Sequence, residues 1–241
     1  MDKLTHVNSI IKVIIPAYNA SETIHDVFKR IPQNIWERVS SILVVDDGSK
    51  DNSQQLIEEI CTNNTDFDFI NFEKNCGLSA AITAGFKNVD TELVGYIDSD
   101  LQTAPEDFNL LLKEIEHFDL VTGVRANRKD SFVKNMSSTI ANGIRRSFTQ
   151  DGMDDTGCPL KVIKTEYAKN IPMFNGLHRF LPAMILLQNG RIKQIPVQHF
   201  PRIAGEAKYG LWKRLLGPLL DCFAYVWMKK KYINYTIEKK S

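Results

Sequence analysis

Short apolar runs alternate with stretches of helical periodicity along the first half of the chain. Residues 10–15 form a β-branched run that ends at Pro16. Ile24, Val27, Phe28 and Ile31 then recur at i, i+3, i+4 and i+7, the spacing of a helix with one buried face, and Pro32 marks its end. Asn19, with Glu22 three residues on, predicts a capping box in front of that helix. Residues 41–45 read as a second strand stopped by Asp46-Asp47-Gly48-Ser49, and Leu56, Ile57 and Ile60 as a second helix. Residues 67–72 read as a third strand, after which Gly77 opens a helix of small residues (Ala80, Ala81, Ala84, Gly85). A fourth strand is expected at 93–97. Pro105 then stands at the first position of a helix built on Phe108, Leu111, Leu112 and Ile115, and a fifth strand follows at 120–124. The second half is less regular. Asp154-Asp155-Thr156-Gly157-Cys158 reads as a turn entering a strand at 160–163, followed by a helix over 179–188 and a strand over 191–197.

Strands alternating with helices predict an α/β fold, a mostly parallel sheet covered by helices on both faces. Ligands of such sheets bind beyond the carboxyl ends of the strands. Pro16-Ala17-Tyr18, Asp46-Asp47 and Asp98-Ser99-Asp100 all fall at those ends, so three sequence-distant clusters are expected to converge on one crevice. Asp98 and Asp100 are the most informative of them. Two carboxylates at the tip of an apolar strand repel each other and resist desolvation. A hard divalent cation, Mg²⁺ or Mn²⁺, removes that conflict. Taken singly, Asp-x-Asp and Asp-Asp-Gly-Ser are also the composition of solvated turns. No Gly-x-Gly-x-x-Gly or Gly-x₄-Gly-Lys segment follows the first strand, which argues against dinucleotide cofactors and P-loop chemistry.

Composition narrows the classes further. The 241 residues are 43% hydrophobic, enough for one sizeable core, and a net charge of +1 gives no sign of a nucleic-acid partner. Cys61, Cys76, Cys158 and Cys222 are scattered, without a Cys-x-x-Cys pair, which argues against a zinc site and for a reducing compartment. The first ten residues lack an apolar signal segment, and no run of ~18 uncharged apolar residues exists to span a membrane. A cytoplasmic protein is expected.

Ile14-Ile15-Pro16-Ala17-Tyr18-Asn19, Val44-Val45-Asp46-Asp47-Gly48-Ser49, Asn75-Cys76-Gly77-Leu78 and Asp98-Ser99-Asp100-Leu101-Gln102 together resemble family 2 glycosyltransferases of the GT-A fold. Asp155-Thr156-Gly157-Cys158, His178-Arg179-Phe180-Leu181-Pro182 and the run from Arg202 through Gly205 and Lys208 to Gly210 resemble its polyprenyl-phosphate branch, that of the dolichyl-phosphate mannose synthases. The resemblance spans roughly residues 10–228. It implies a nucleotide-sugar donor (GDP-mannose or a UDP-sugar), a divalent metal and inverting transfer of a hexose to polyprenyl phosphate. By it, Asp98, Asp100 and Gln102 surround the metal, with Asp98, Asp100 and Arg202 as the catalytic set. Pro16, Tyr18, Asp46, Asp47, Gly77, Asp98 and Lys208 hold the donor. Arg125, Lys134, Ser138 and His178 hold the acceptor. Ala20 departs from the pattern, since the family often has Glu there.

A sugar hydroxyl must lose a proton as it attacks and needs a base, whereas a lipid phosphate is already an anion and needs cations to position it. Arg125, Lys134, Arg202 and Lys208 suit the second case. For a hydroxyl acceptor, as in surface polysaccharide or lipopolysaccharide synthesis, His178 or Asp155 is the candidate base. An inactive nucleotide-sugar-binding subunit is the third reading. A glycosyltransferase domain is expected over 1–210, with a nucleotide half at about 10–125 and an acceptor half at about 126–210. Residues 211–241 mix apolar and aromatic side chains with Lys229-Lys230-Lys231 and Lys239-Lys240. That mixture predicts a tail lying in the membrane interface, and hence a peripheral protein at the inner face of the membrane, held by the bilayer or by a membrane protein partner.

Overall fold

The computed structural model describes residues 11–31, 34–35, 38–125, 142–201 and 211–235. The first strand, β1 (Ile11–Ala17), leads through a loop into α1 (Ile24–Arg30). A short β2 (Asn34–Ile35) precedes β3 (Arg38–Asp46), followed by α2 (Ser53–Thr62), β4 (Phe67–Asn71), α3 (Leu78–Lys87) and β5 (Leu93–Tyr96). Pro105 begins a 3₁₀ turn rather than an α-helix, and that turn runs into α4 (Phe108–Leu112). Next come β6 (Leu120–Arg125), α5 (142–149), β7 (Lys161–Lys164), α6 (Thr165–Lys169), α7 (Leu181–Leu187), β8 (Ile192–Val197) and α8 (Leu211–Lys231).

The strands join one sheet in the order β4-β3-β1-β5-β7-β6-β8, with β2 paired to the start of β3. From β4 to β5 every pairing is parallel. β7 runs against both β5 and β6, and β8 lies parallel to β6. The order reverses at β1, which has β3 on one side and β5 on the other. Such a reversal opens a crevice beyond the strand ends. The registers Ala17↔Asp46 and Ile14↔Tyr96 bring the carboxyl ends of these three strands side by side.

Successive side chains of β1 point to opposite faces, and each face has its own core. Ile11, Val13 and Ile15 pack with Ile24, Val27 and Phe28 of α1, Ile57 of α2 and Phe108 of α4. Ile14 packs on the other face with Ala81, Ile82 and Phe86 of α3, Leu181 and Ile185 of α7, and Tyr225 of α8. Burying each of these large side chains contributes about 1.5–3 kcal/mol. The small residues of α3 serve this packing. A side chain at Gly85 would begin 2.6 Å from Ile14, so glycine lets the helix settle onto the sheet.

The capping box is corrected. Thr23 precedes α1 and makes no side-chain cap, and Asn19 lies outside the helix with φ 50°. Asn19 serves a longer-range bond: its Oδ1 accepts the Lys50 N–H at 2.9 Å, while its own N–H donates to Ser49 Oγ at 2.8 Å. The helix entry is stitched to the loop after β3 instead, and Ala20 N–H donates to the buried Ser53 Oγ at 2.7 Å.

Candidate active site

Three strand ends supply one edge of the site. Pro16 is buried at the end of β1, with half-buried Tyr18 just beyond it. Asp46 and Asp47 end β3, and both are buried, at 0% and 4% exposure. Carboxylates this deep need donors. Asp46 accepts the Ser49 backbone N–H at 3.0 Å and also the Ser49 hydroxyl. Asp47 accepts the Asn75 amide at 2.9 Å, the Cys76 N–H at 2.7 Å and the Gly77 N–H at 2.9 Å. Asp47 therefore builds the loop in front of α3. Gly48 (φ 67°) must be glycine, because a side chain there would meet the Lys74 backbone at 2.4 Å. Gly77 adopts φ 92° as its N–H turns toward Asp47.

Beyond β5, Asp98, Asp100 and Gln102 are half-buried. Leu101 between them is buried and has φ 56°, a left-handed conformation costly for leucine. That bend lets Asp100 Oδ1 accept the Gln102 N–H at 3.1 Å. Asp98 Oδ1 accepts the Tyr96 hydroxyl at 2.7 Å. Burial, reinforced by Asp98, pushes the Tyr96 phenol well above its usual pKa, so it remains a proton donor. Two carboxylates and an amide oxygen on one strand tip are an all-oxygen set with room for further ligands, the kind a hard divalent cation takes together with a diphosphate. Among the described residues no group of three His, Cys, Asp or Glu forms a preformed metal cage.

Under this tip lies Lys161 of β7, opposite Tyr96 in the register and 1% exposed. Its Nζ donates to the carbonyls of Cys158 and Thr156 and sits 5.6 Å from the Tyr96 ring centre. Burial pushes its pKa down, opposed by Cys158, Asp155 and Asp98. The sequence reading passed over both residues. Tyr96 was open to it, being two positions before Asp98 and so on the same face of the strand. Lys161 was not, since nothing in a run such as Leu160-Lys161-Val162 says which face turns inward.

Arg125 at the end of β6 is held by Asp155, Nε to Oδ2 at 2.6 Å and Nη2 to Oδ1 at 2.8 Å. Asp155 also accepts the Gly157 N–H at 3.1 Å. A carboxylate committed to a bidentate arginine is a weak base. His178 lies in the 3₁₀ turn Leu177–Arg179, its Nδ1 3.1 Å from Ser79 Oγ at the start of α3. The same Oγ accepts the Gly176 N–H at 3.1 Å. Ser79 is buried, and which partner donates in its bond to Nδ1 follows the imidazole tautomer. Burial, with Arg179 and Lys161 adding to it, pushes the His178 pKa from 6.5 down to about 3. The imidazole is neutral at pH 7 and a poor base.

The segment after β8 returns to the edge that bears Asp98, Asp100 and Gln102. Thr103 and His199 form a bridge, the Phe200 N–H donates to the Gln102 carbonyl at 2.9 Å, and the Gln198 N–H donates to Asp107 at 2.8 Å. Arg202 and Lys208 follow directly and lie outside the described residues, as do Lys134 and Ser138. Of the expected residues, the structure thus brings Pro16, Tyr18, Asp46, Asp47, Gly77, Asp98, Asp100 and Gln102 to one side of the sheet. Arg125 is at the end of β6, beyond β5 and β7 in the sheet order.

The family model described as "Glycosyl transferase family 2" matches residues 12–171. The chain belongs to that family. The protein is a glycosyltransferase, and its fold is the GT-A arrangement expected from the motifs. Undecaprenyl-phosphate 4-deoxy-4-formamido-L-arabinose transferase of Edwardsiella ictaluri (strain 93-146) is 30% identical over 218 residues, 88% of this chain and 67% of that protein. Solved structures of glucosyl-3-phosphoglycerate synthase from Mycobacterium tuberculosis share the fold. The complex with Mn²⁺, UDP and glucosyl-3-phosphoglycerate superposes with a TM-score of 0.71 at 16% identity, covering 94% of this chain and 82% of that one. The complex with phosphoglyceric acid has a TM-score of 0.70 at 17% identity, with the same coverage.

Proposed function

We propose that this family 2 glycosyltransferase moves a hexose from a nucleotide-diphosphate sugar to a polyprenyl phosphate, using Mg²⁺ or Mn²⁺. The observation that carries the acceptor is that both candidate bases are spent: Asp155 is clamped on Arg125, and His178 is held neutral with a pKa near 3. A hydroxyl acceptor needs a base, and an anionic phosphate does not. The name of the Edwardsiella relative, an undecaprenyl-phosphate transferase, supports the same acceptor.

Asp98, Asp100 and Gln102 would hold the cation. The Mn²⁺ and UDP in the mycobacterial complex support a metal and a nucleotide on this fold. Bound there, the cation neutralises charge on the departing diphosphate. Tyr96 orients Asp98 through its hydroxyl. Pro16, Tyr18, Asp46 and the Asp47–Gly77 loop line the nucleotide side in the half at 10–125. Arg202 and Lys208, outside the described residues, are assigned to the donor phosphates, with Arg202 completing the catalytic set. Arg125, at the end of the first half, and Lys134, Ser138 and His178, in the half at 126–210, are assigned to the acceptor phosphate. A lipid acceptor and a nucleotide-sugar donor meet at the inner face of a membrane. Residues 211–241 would attach the protein there, since among the described residues no helix is long and apolar enough to cross.

The test is release of nucleoside diphosphate by the purified protein. Release is expected only when donor sugar, Mn²⁺ and a polyprenyl phosphate are all present, and chelation should abolish it. Equal turnover with a sugar-hydroxyl acceptor and no lipid phosphate overturns the acceptor assignment.

A further inference from the structure

Helix α8 is apolar on two opposite sides. One side is spent on the core: Cys222 and Tyr225 are buried, and Tyr225 stacks on Phe180 with ring centres 6.1 Å apart. The other carries Leu220, Phe223 and Trp227, which are 69%, 56% and 66% exposed. Their i, i+3, i+7 spacing makes one stripe. Lys231 continues its line one turn further, and Lys230 flanks it, both exposed. Beyond the helix, Ile233 and Tyr235 are again exposed, at 79% and 80%. An apolar stripe left outside the core and flanked by charged residues suits the boundary between an apolar medium and water.

Building on the lipid-phosphate reading, we propose that the outer face of α8 docks on an anionic bilayer. Leu220, Phe223 and Trp227 enter the acyl boundary, and Lys230 and Lys231 meet the headgroups. The helix lies along the surface, since among the described residues nothing qualifies to span. Paired lysines at the end of the stripe complement an anionic headgroup layer. The helix also adjoins the acceptor side. Asp221 Oδ2 lies 2.5 Å from where a side chain on Gly176 would begin, two residues before His178. A phosphate carried by a lipid would therefore arrive beside the turn that bears His178.

The test is co-sedimentation of the full chain with phosphatidylcholine vesicles, with and without phosphatidylglycerol. Binding is expected to require the anionic lipid. Phe223→Glu with Trp227→Glu should cut the bound fraction about tenfold or more, and Lys230→Gln with Lys231→Gln should remove the preference for phosphatidylglycerol. Leu220→Ser is the milder variant, expected to weaken binding several-fold at an unchanged melting temperature. Wild-type binding by the Glu pair overturns the proposal, as does a dimer in solution that the Glu pair dissolves. The Glu pair should still turn over a water-soluble short-chain prenyl phosphate. If neither protein uses any prenyl phosphate while vesicle binding keeps this pattern, the acceptor assignment fails and the docking face stands.

Discussion

Asp98 is not a bare carboxylate at the strand tip: one of its oxygens is aimed by the phenol of Tyr96, whose ring rests beside the buried Lys161 amine. Outer groups of this kind fix the orientation of a metal ligand, and their loss typically weakens metal affinity about 10–100-fold. Tyr96→Phe keeps the ring in its core and removes only the hydroxyl. Mn²⁺ titrated into this variant and followed by electron paramagnetic resonance should bind about 10–100-fold more weakly, with the melting temperature of the metal-free protein little changed. His178 bears on pH in the opposite way from an exposed histidine. Its folded pKa, about 3, lies below the 6.5 of the unfolded chain, so acid favours the unfolded state. The neutral form is fully accommodated above pH 6.5, and stability drains away as the pH falls from 6.5 toward 3. By pH 5 the loss amounts to about 2 kcal/mol. His178→Asn keeps a polar side chain that can pair with Ser79 as donor or acceptor, and its melting temperature should fall less steeply between pH 7 and 5 than that of the wild type. Identical slopes would remove His178 as the cause.

The elements were legible where one local rule acted alone. β1, β3 and β5 are covered on both faces, so they appear in the chain as continuous apolar runs bounded by polar residues, and their tips mark the site. Helix α1 showed through the spacing of Ile24, Val27 and Phe28, the three side chains it buries. The capping box failed because two roles compete for Asn19, and the distant one wins: a backbone bond to Lys50, thirty-one residues away, is invisible to local pattern. Helix α5 and its anchor were missed for a related reason. Arg145 is buried and pairs with Asp151 while donating to the Met153 carbonyl at 2.6 Å, so a charged residue stands where periodicity looks for an apolar one. At the site, the acidic residues were legible by type and position. Lys161, which donates to the Cys158 and Thr156 carbonyls, and Ser79, which pairs with His178, were not, because they join it through tertiary packing, on strand β7 and helix α3. Two residues in the left-handed region, Asn19 and Leu101, flank the strand ends that form the site, where local preference has yielded to the needs of the loop.

At the scale of the whole molecule, the two halves of the sheet divide the work. The parallel strands β4-β3-β1-β5 carry the carboxylate edge, whereas β7, β6 and β8 carry Arg125 and the segment returning past Gln102. A donor bound at their junction would touch both halves, and binding to the folded state alone must raise global stability. At a ligand concentration 100 times its Kd the gain is about 2.7 kcal/mol. For a chain of this size that corresponds to a rise in melting temperature of roughly 5–10 °C. Mn²⁺ with UDP and Mn²⁺ with GDP should therefore separate in a thermal shift experiment, because on the proposed reading the matching base would add contacts along the Pro16–Tyr18 and Asp47–Gly77 loops that the other lacks. Mn²⁺ alone should shift the transition little, since three oxygens from Asp98, Asp100 and Gln102 would hold it weakly until a diphosphate replaced the water on its remaining positions. Removing the metal should abolish most of the nucleotide effect, and Asp100→Asn should do so with metal present. Equal stabilisation by either nucleotide with and without Mn²⁺ would show that the strand-tip carboxylates take no part in holding the diphosphate.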